Sequence, residues 1–271
     1  MITISIIIPT YNEVEGIEKL VSYLKKFSNE AVTNLIVSDG GSEDGTIEKA
    51  TAAGAQVIIS SRKGRAAQMN YGASLAKSDV LYFIHADSIP PATFVADIQQ
   101  AVKEGYDLGR YSTKFDSSKN ILKLNAWFTR FDLFMCMGGD QTFFIRRQLF
   151  EIYGGFNKDM QIMEEFDFCG RARKTGRYKI LPGTALISAR KYDTNSWLKV
   201  QRANFTIFKM YKRGSSQQEM LETYKGMLSY RKNDFWWNLE NLFEIDGGQC
   251  FIQILKVLMT FIHCSNYFSK E

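Results

Sequence analysis

Apolar residues recur along the first half of the chain in short unbroken runs, and each run ends in a polar cluster. Residues 2–9 (ITISIIIP) form one run, broken by Pro9-Thr10. Residues 35–38 and 56–60 form two more, and Val80, Leu81, Phe83 and Ile84 a fourth that stops at His85-Ala86-Asp87-Ser88. Short apolar runs bounded by turn formers predict strands buried on both faces of a parallel sheet. Between them the spacing becomes helical: Ile17, Leu20, Val21 and Leu24 share one face of a helix expected over 14–27. Helices are also expected over 46–53 and, with small residues, to Ala76. Strands alternating with helices predict βαβ units joined by right-handed crossovers.

The second half is less regular. A strand is expected over 106–115 and an aromatic-rich helix over 121–135. Gly138-Gly139-Asp140-Gln141 precedes a strand over 142–145, and a helix from Arg147 ends at Gly154-Gly155-Phe156. A helix over 164–175 has Phe168 and Ala172 on one face. Short strands follow over 178–181 and 185–189, and the chain is mostly helical beyond Trp197. With no repeat, low-complexity segment or linker, the pattern predicts one α/β domain over 1–232 and an amphipathic helical tail over 233–271. In that tail nine of the residues from Phe251 to Ile262 are apolar. This exceeds one helical stripe but falls short of the roughly 20 residues needed to span a bilayer. The tail is expected to pack on the chain's own core or on a second subunit in a homodimer. A membrane surface is the alternative.

Composition narrows the classes. The 271 residues carry 34 basic and 29 acidic side chains, a net charge of +5. Both signs are mixed, so the surplus does not argue for nucleic acid. Four cysteines lie far apart with no CxxC pair, which disfavours a metal framework and suits a reducing, cytoplasmic setting. No signal peptide is expected, and the protein is expected to be soluble or peripheral at the inner face of a membrane.

The polar clusters carry the candidate chemistry. Asp87 ends a buried strand, at the sheet edge where open α/β folds bind ligands. There it can hold a divalent cation that in turn holds a diphosphate, or merely cap a helix starting near Pro90. In Pro9-Thr10-Tyr11-Asn12-Glu13, Pro9 stiffens the turn, Tyr11 can stack on a base and Glu13 can accept from ribose hydroxyls. Asn12 as a helix N-cap is the plainer reading. The glycines of SDGGSEDGT let backbone approach a ligand, and Asp39 can accept from a base or sugar. Neither GxGxxG nor GxxxxGK[ST] is present. Arg62-Lys63-Gly64-Arg65 opens a helix bearing Gln68 and Asn70, a basic helix N-terminus suited to a diphosphate. Glu164, Glu165 and Asp167 crowd one first turn, where a carboxylate can serve as general base.

In this order PTYNE, SDGGSEDGT, HADS, GGDQ, GGF and MEEFDF resemble the family-2 type glycosyltransferases of GT-A fold, over roughly residues 2–230. RKGRAAQMNYGA, FIHADS and GDQTFFIRR resemble the subgroup associated with arsenosugar biosynthesis. The resemblance implies that Pro9, Tyr11, Glu13 and Asp39 line a nucleotide pocket and that Arg62 and Arg65 lie near the diphosphate. Asp87 matches the last Asp of the family's DxD motif, with His85 replacing the first, and would bind Mg²⁺ or Mn²⁺. The family's Glu-Asp pair falls on Glu164-Glu165, so Glu165 matches the base, with Asp167 as its rival and Glu164 as a third candidate. Gly139, Asp140 and Gln141 would line the acceptor or donor-sugar side. Where many relatives place a metal-binding His, this chain reads Ser188-Ala189-Arg190-Lys191-Tyr192, leaving a third protein ligand open.

The function so implied is metal-dependent, inverting transfer of a sugar from a nucleotide diphosphate sugar, UDP-linked by expectation, to an unidentified acceptor hydroxyl. Two rivals stand beside it. A nucleotidyltransferase would want a Gly- and Lys/Arg-rich loop after the first strand, which PTYNE lacks. A nucleotide-sugar-binding protein without catalysis would explain His85 in place of Asp and Glu165 in place of Asp.

Overall fold

The alternation of apolar runs and helical spacings is built as β1 (Ile4–Thr10), α1 (Ile17–Phe27), β2 (Val32–Asp39), α2 (Thr46–Ala52), β3 (Gln56–Ile59), α3 (Arg65–Leu75) and β4 (Val80–Phe83). The computed structural model describes residues 1–132 and 142–229. Gly139, Asp140, Gln141 and the tail over 233–271 therefore lie outside the described residues. After β4 come the two-residue β5 (Ser88–Ile89), α4 (Phe94–Lys103), β6 (Leu108–Phe115), α5 (Asn120–Phe128) and β7 (Phe143–Arg146). Then follow α6 (Arg147–Ile152), α7 (Glu164–Ala172), β8 (Tyr178–Ile187), α8 (Lys191–Thr194), α9 (Trp197–Lys212) and α10 (Gln217–Met227).

Among the described residues the strands form one sheet in the order β3-β2-β1-β4-β7-β6-β8-β5. β1 pairs in parallel with β2 and β4, and β2 with β3. The sheet is mainly parallel, as expected, but β7 runs antiparallel between β4 and β6, and β5 antiparallel beside β8. Both faces are covered. Ile4, Ile6, Ile8 and Tyr82 pack into one apolar layer with Phe94 and Ile98. Ile7, Leu81 and Phe83 point the other way, against Phe143, Phe150 and Phe168. Successive residues serve opposite layers, which is why the strands read as continuous apolar runs rather than alternating ones.

Several elements differ from the sequence expectation, three of them in the second half of the chain. The helix expected over 121–135 stops at Phe128, because the buried Arg110 draws the Thr129 carbonyl to its guanidinium at 2.8 Å. The two strands expected over 178–189 are one, β8, with a register shift opposite Tyr111/Ser112 near Pro182-Gly183. The helix expected to 175 ends at Ala172.

Gly109 in β6 sets the closeness of the β6–β8 pair, since a Cβ there would overlap the Lys179 carbonyl and lie 2.6 Å from the Phe144 ring. Neither neighbour can withdraw from a central ladder. Gly109→Ala is expected to lower unfolding free energy by about 2 kcal/mol or more, checked by urea denaturation.

Candidate active site

The carboxyl ends of β1 and β4 open on a cavity of about 500 Å³, within the usual range for small-ligand sites. Pro9, Thr10, Tyr11 and Glu13 line it from the end of β1. Lys63, Gly64, Arg65 and Gln68 line it from α3 and its approach, and His85, Ala86 and Asp87 from the segment after β4. Most of the nucleotide and metal candidates are thus brought together at one sheet edge.

Asp39 is not among the lining residues, although its neighbour Gly40 is. Asp39 is fully buried, and both oxygens are taken up by its own loop. Oδ1 accepts from the backbone N–H groups of Gly41 and Ser42 at 2.8 and 2.7 Å. Oδ2 accepts from the hydroxyls of Thr10 and Ser42 at 2.9 and 2.7 Å. Asp39 builds the loop rather than offering a free acceptor. Asn12 does not cap α1 either. It adopts φ 53°, its N–H donates to Ser42 Oγ at 2.8 Å, and its side chain accepts from Glu43 N at 3.2 Å. Gln68, left unassigned by the sequence, donates from Nε2 to the carbonyls of Thr10 at 2.5 Å and Ser38 at 3.0 Å. The ends of β1 and β2 are thereby tied to α3.

In the basic segment the side chains separate. Arg62 pairs with Asp159 at 2.8 Å on the surface and is not on the lining. Its neighbour Lys63 points inward instead, with Nζ 5.5 Å from the centre of the exposed Tyr11 ring. Arg65 pairs through Nε with Glu164 Oε1 at 2.8 Å, and its Nη1 lies 3.4 Å from His85 Nδ1.

Asp87 does not cap a helix, since α4 begins only at Phe94 with Thr93 as its N-cap residue. Its carboxylate has one weak side-chain contact, a 3.4 Å approach of Ser88 Oγ. The donor set fits a hard divalent cation, since Mg²⁺ and Mn²⁺ take carboxylate oxygens, often one or two together with phosphate oxygens and water. Among the described residues no group of three or more His, Cys, Asp or Glu is arranged to hold a metal. Asp87 would therefore share the ion with a ligand's phosphates.

The three acids of α7 each have a different partner, Arg65, His85 and Arg171, which relieves the repulsion expected of them. Glu164 pairs with Arg65, and Glu165 Oε1 lies 2.8 Å from His85 Nε2. Asp167 accepts from Arg171 Nε at 2.9 Å and Tyr211 Oη at 3.2 Å. Glu164 and Glu165 are buried directly behind the lining residues Arg65 and His85, whereas Asp167 is turned toward α9. None of the three acids is itself a lining residue: Glu165 stands one side chain back, behind His85, and Asp167 is engaged by Arg171 and Tyr211. Burial of the His85 ring opposes its charged form, but adjacent Glu165 outweighs this and holds the imidazole above its ordinary value. Met163, just before α7, sits at φ 68°, a strained conformation for a non-glycine residue that turns the first helical turn into this position.

Two further side chains keep α7 in register with α3. Asn70 of α3 donates to the Phe156 carbonyl at 2.7 Å and accepts from Phe156 N at 3.0 Å. Arg171 of α7 donates to the carbonyls of Tyr153 and Gly155 at 2.6 and 2.9 Å. Gly155 must be glycine here, with φ 70° and Asn70 Oδ1 2.6 Å from where a Cβ would stand. The Gly154-Gly155-Phe156 turn is therefore a brace between the cationic helix and the acidic one.

The sheet edge thus carries two half-buried carboxylates, Glu13 and Asp87, beside Lys63 and Arg65, with the buried Glu164 and Glu165 behind them. Residues 5–158 match glycosyl transferase family 2, and the chain belongs to that family. It is 32% identical over 105 residues to glycosyltransferase AglJ of Haloferax volcanii, covering 38% of this chain and 34% of that protein. The chain thus spans about a third of the length of the curated relatives it matches. The mannosyltransferase PcManGT of Pyrobaculum calidifontis, solved with GDP-Man and Mn²⁺, superposes with a TM-score of 0.58 at 16% identity, covering 83% of this chain and 69% of its own. Glucosyl-3-phosphoglycerate synthase of Mycobacterium tuberculosis, solved with Mn²⁺, UDP-Glc and phosphoglyceric acid, gives 0.54 at 18% identity, covering 83% and 79%. The α/β GT-A fold expected from the ordered motifs is the fold observed. No helix among the described residues is long and apolar enough to cross a membrane.

Proposed function

We propose that this chain transfers a sugar from a nucleoside diphosphate sugar, UDP-linked, to an acceptor hydroxyl, with inversion. The observation that carries the reading is the cavity itself, with Asp87 and the cations Lys63 and Arg65 on its wall and Glu165 behind His85. Tyr11 and Glu13 would hold the base and ribose. Asp87 would hold Mg²⁺ or Mn²⁺ against the diphosphate, and the ion when bound offsets charge on the leaving group.

The acceptor oxygen would form its bond to the anomeric carbon as the bond from that carbon to the β-phosphate oxygen breaks, its electron pair leaving with the diphosphate. The acceptor proton would pass to Glu165. His85 would keep that carboxylate oriented and Glu164 would hold Arg65 in place. Asp140 with Gly139 and Gln141 is assigned to the acceptor side on the sequence resemblance. On the same resemblance, in RKGRAAQMNYGA and FIHADS, the chain would fall in the arsenosugar-associated subgroup.

Hydrolysis of UDP-glucose and of GDP-mannose by the full chain, with and without Mn²⁺, tests the reading. Metal-dependent release of nucleoside diphosphate from the UDP-linked donor is the expected result. Tight donor binding without release would make the chain a nucleotide-sugar binder. Neither binding nor release of either donor would sink the assignment.

A further inference from the structure

Arg190 stands immediately before α8, in the stretch where the sequence shows no metal-binding His. Its Nη2 donates to Glu13 Oε2 at 2.9 Å and joins residues 177 apart in the chain. The turn that carries it lies along the Asp87 loop: Ser188 N donates to the Asp87 carbonyl at 3.0 Å, and Arg190 N to Ser188 Oγ at 3.3 Å. Burial opposes the charge on Arg190, yet Glu13, Asp87 and Glu15 together outweigh it and hold the guanidinium above its ordinary value. Two of those carboxylates, Glu13 and Asp87, line the cavity.

We propose that Arg190 binds the donor's diphosphate, exchanging Glu13 for phosphate oxygens when the nucleotide enters. This rests on the nucleotide-sugar reading above. Arg190 is not itself a lining residue but is held beside the cavity by Glu13, which is, and Arg65 on the lining is less able to move. Arg65 is committed to Glu164, and withdrawing it would strand a buried carboxylate, a costly change. The Glu13–Arg190 pair is partly exposed, with side-chain exposures of 26% and 39%. Such pairs contribute little by themselves, so exchange costs little. Glu13 would find new partners in the ribose hydroxyls, and the guanidinium's two parallel N–H groups match a phosphate.

The test measures affinity for UDP and for uridine, with Mn²⁺ present, in the full-length wild type, Arg190→Gln, Arg190→Lys and Glu13→Gln, using GDP and guanosine in parallel. Arg190→Gln is expected to weaken UDP by roughly tenfold or more while uridine stays within about twofold. Arg190→Lys should recover part of the loss, because it keeps the charge. Glu13→Gln should weaken uridine and UDP alike, because it trades a charged ribose acceptor for a weaker neutral one and leaves Arg190 free. If Arg190→Gln instead lowers both ligands by the same factor as Glu13→Gln, or leaves the UDP-to-uridine ratio unchanged, Arg190 only braces Glu13 and the proposal is overturned. A wild type that binds neither UDP nor GDP overturns the donor reading itself, and that result is distinct from the first two.

Discussion

Replacing Glu165 by Gln is expected to reduce turnover by roughly 10²-fold or more while affinity for the nucleoside diphosphate holds. Gln keeps the size and one oxygen of the side chain, so its contact with His85 at 2.8 Å can persist and the local packing with it. What is lost is the ability to take a proton. Asp167→Asn is the control, since that carboxylate is already engaged by Arg171 and Tyr211 away from the cavity. Its effect should fall on stability, through the loss of a charged partner for Arg171, and not on the chemical step. Initial rates with saturating donor separate the two variants. The assignment fails if Asp167→Asn abolishes turnover and Glu165→Gln leaves it intact.

Asp87→Ala is expected to erase the difference between nucleotide binding with and without Mn²⁺. Among the described residues the carboxylate's one hydrogen-bond contact is the 3.4 Å approach of Ser88 Oγ, and beyond it the change removes only longer-range attraction to Arg190 and His85. Its backbone is held independently, by Ser188 N on the Asp87 carbonyl at 3.0 Å and by the β5–β8 pairing of Ser88 with Ile187 and Ile89 with Leu186. The melting midpoint should therefore stay close to wild type, in keeping with the roughly ±0.5 kcal/mol usual for such sites. Calorimetric titration with UDP, with and without Mn²⁺, reads the effect directly. Affinity in the variant that still rises on adding Mn²⁺ would remove Asp87 from the metal site.

The two strands that frame the cavity, β1 and β4, were legible because strands covered on both faces leave unbroken apolar runs. The polar clusters that follow them were legible for the same reason, since each run stops abruptly. The antiparallel insertion of β7 was not, because pairing partners are set by contacts far apart in sequence, such as Leu81 with Ile145. Nor could spacing show that α5 ends at Phe128, where the deciding group is Arg110, 18 to 19 residues earlier. Asp39 and Asp87 look alike in sequence, each an Asp closing a strand. One is consumed by its own loop and the other is not, and that difference lies in the turn geometry of Gly41 and Ser42. Arg62 and Lys63 are likewise adjacent, and only the position of Asp159 decides which of them faces the cavity.

The four hydrogen bonds on Asp39 and the two from Gln68 have a consequence for how ligands are sorted. They fix the backbone at the ends of β1 and β2 before anything binds, so that side of the cavity is a preformed template with little ordering left to undergo. Around it stand long charged side chains, Lys63 over the Tyr11 ring and Arg190 paired with Glu13, whose reach is adjustable. Selectivity for the nucleoside should therefore be sharp and little affected by temperature, while tolerance should be broad at the phosphate end, where flexible charges can follow whatever anion the first half has positioned.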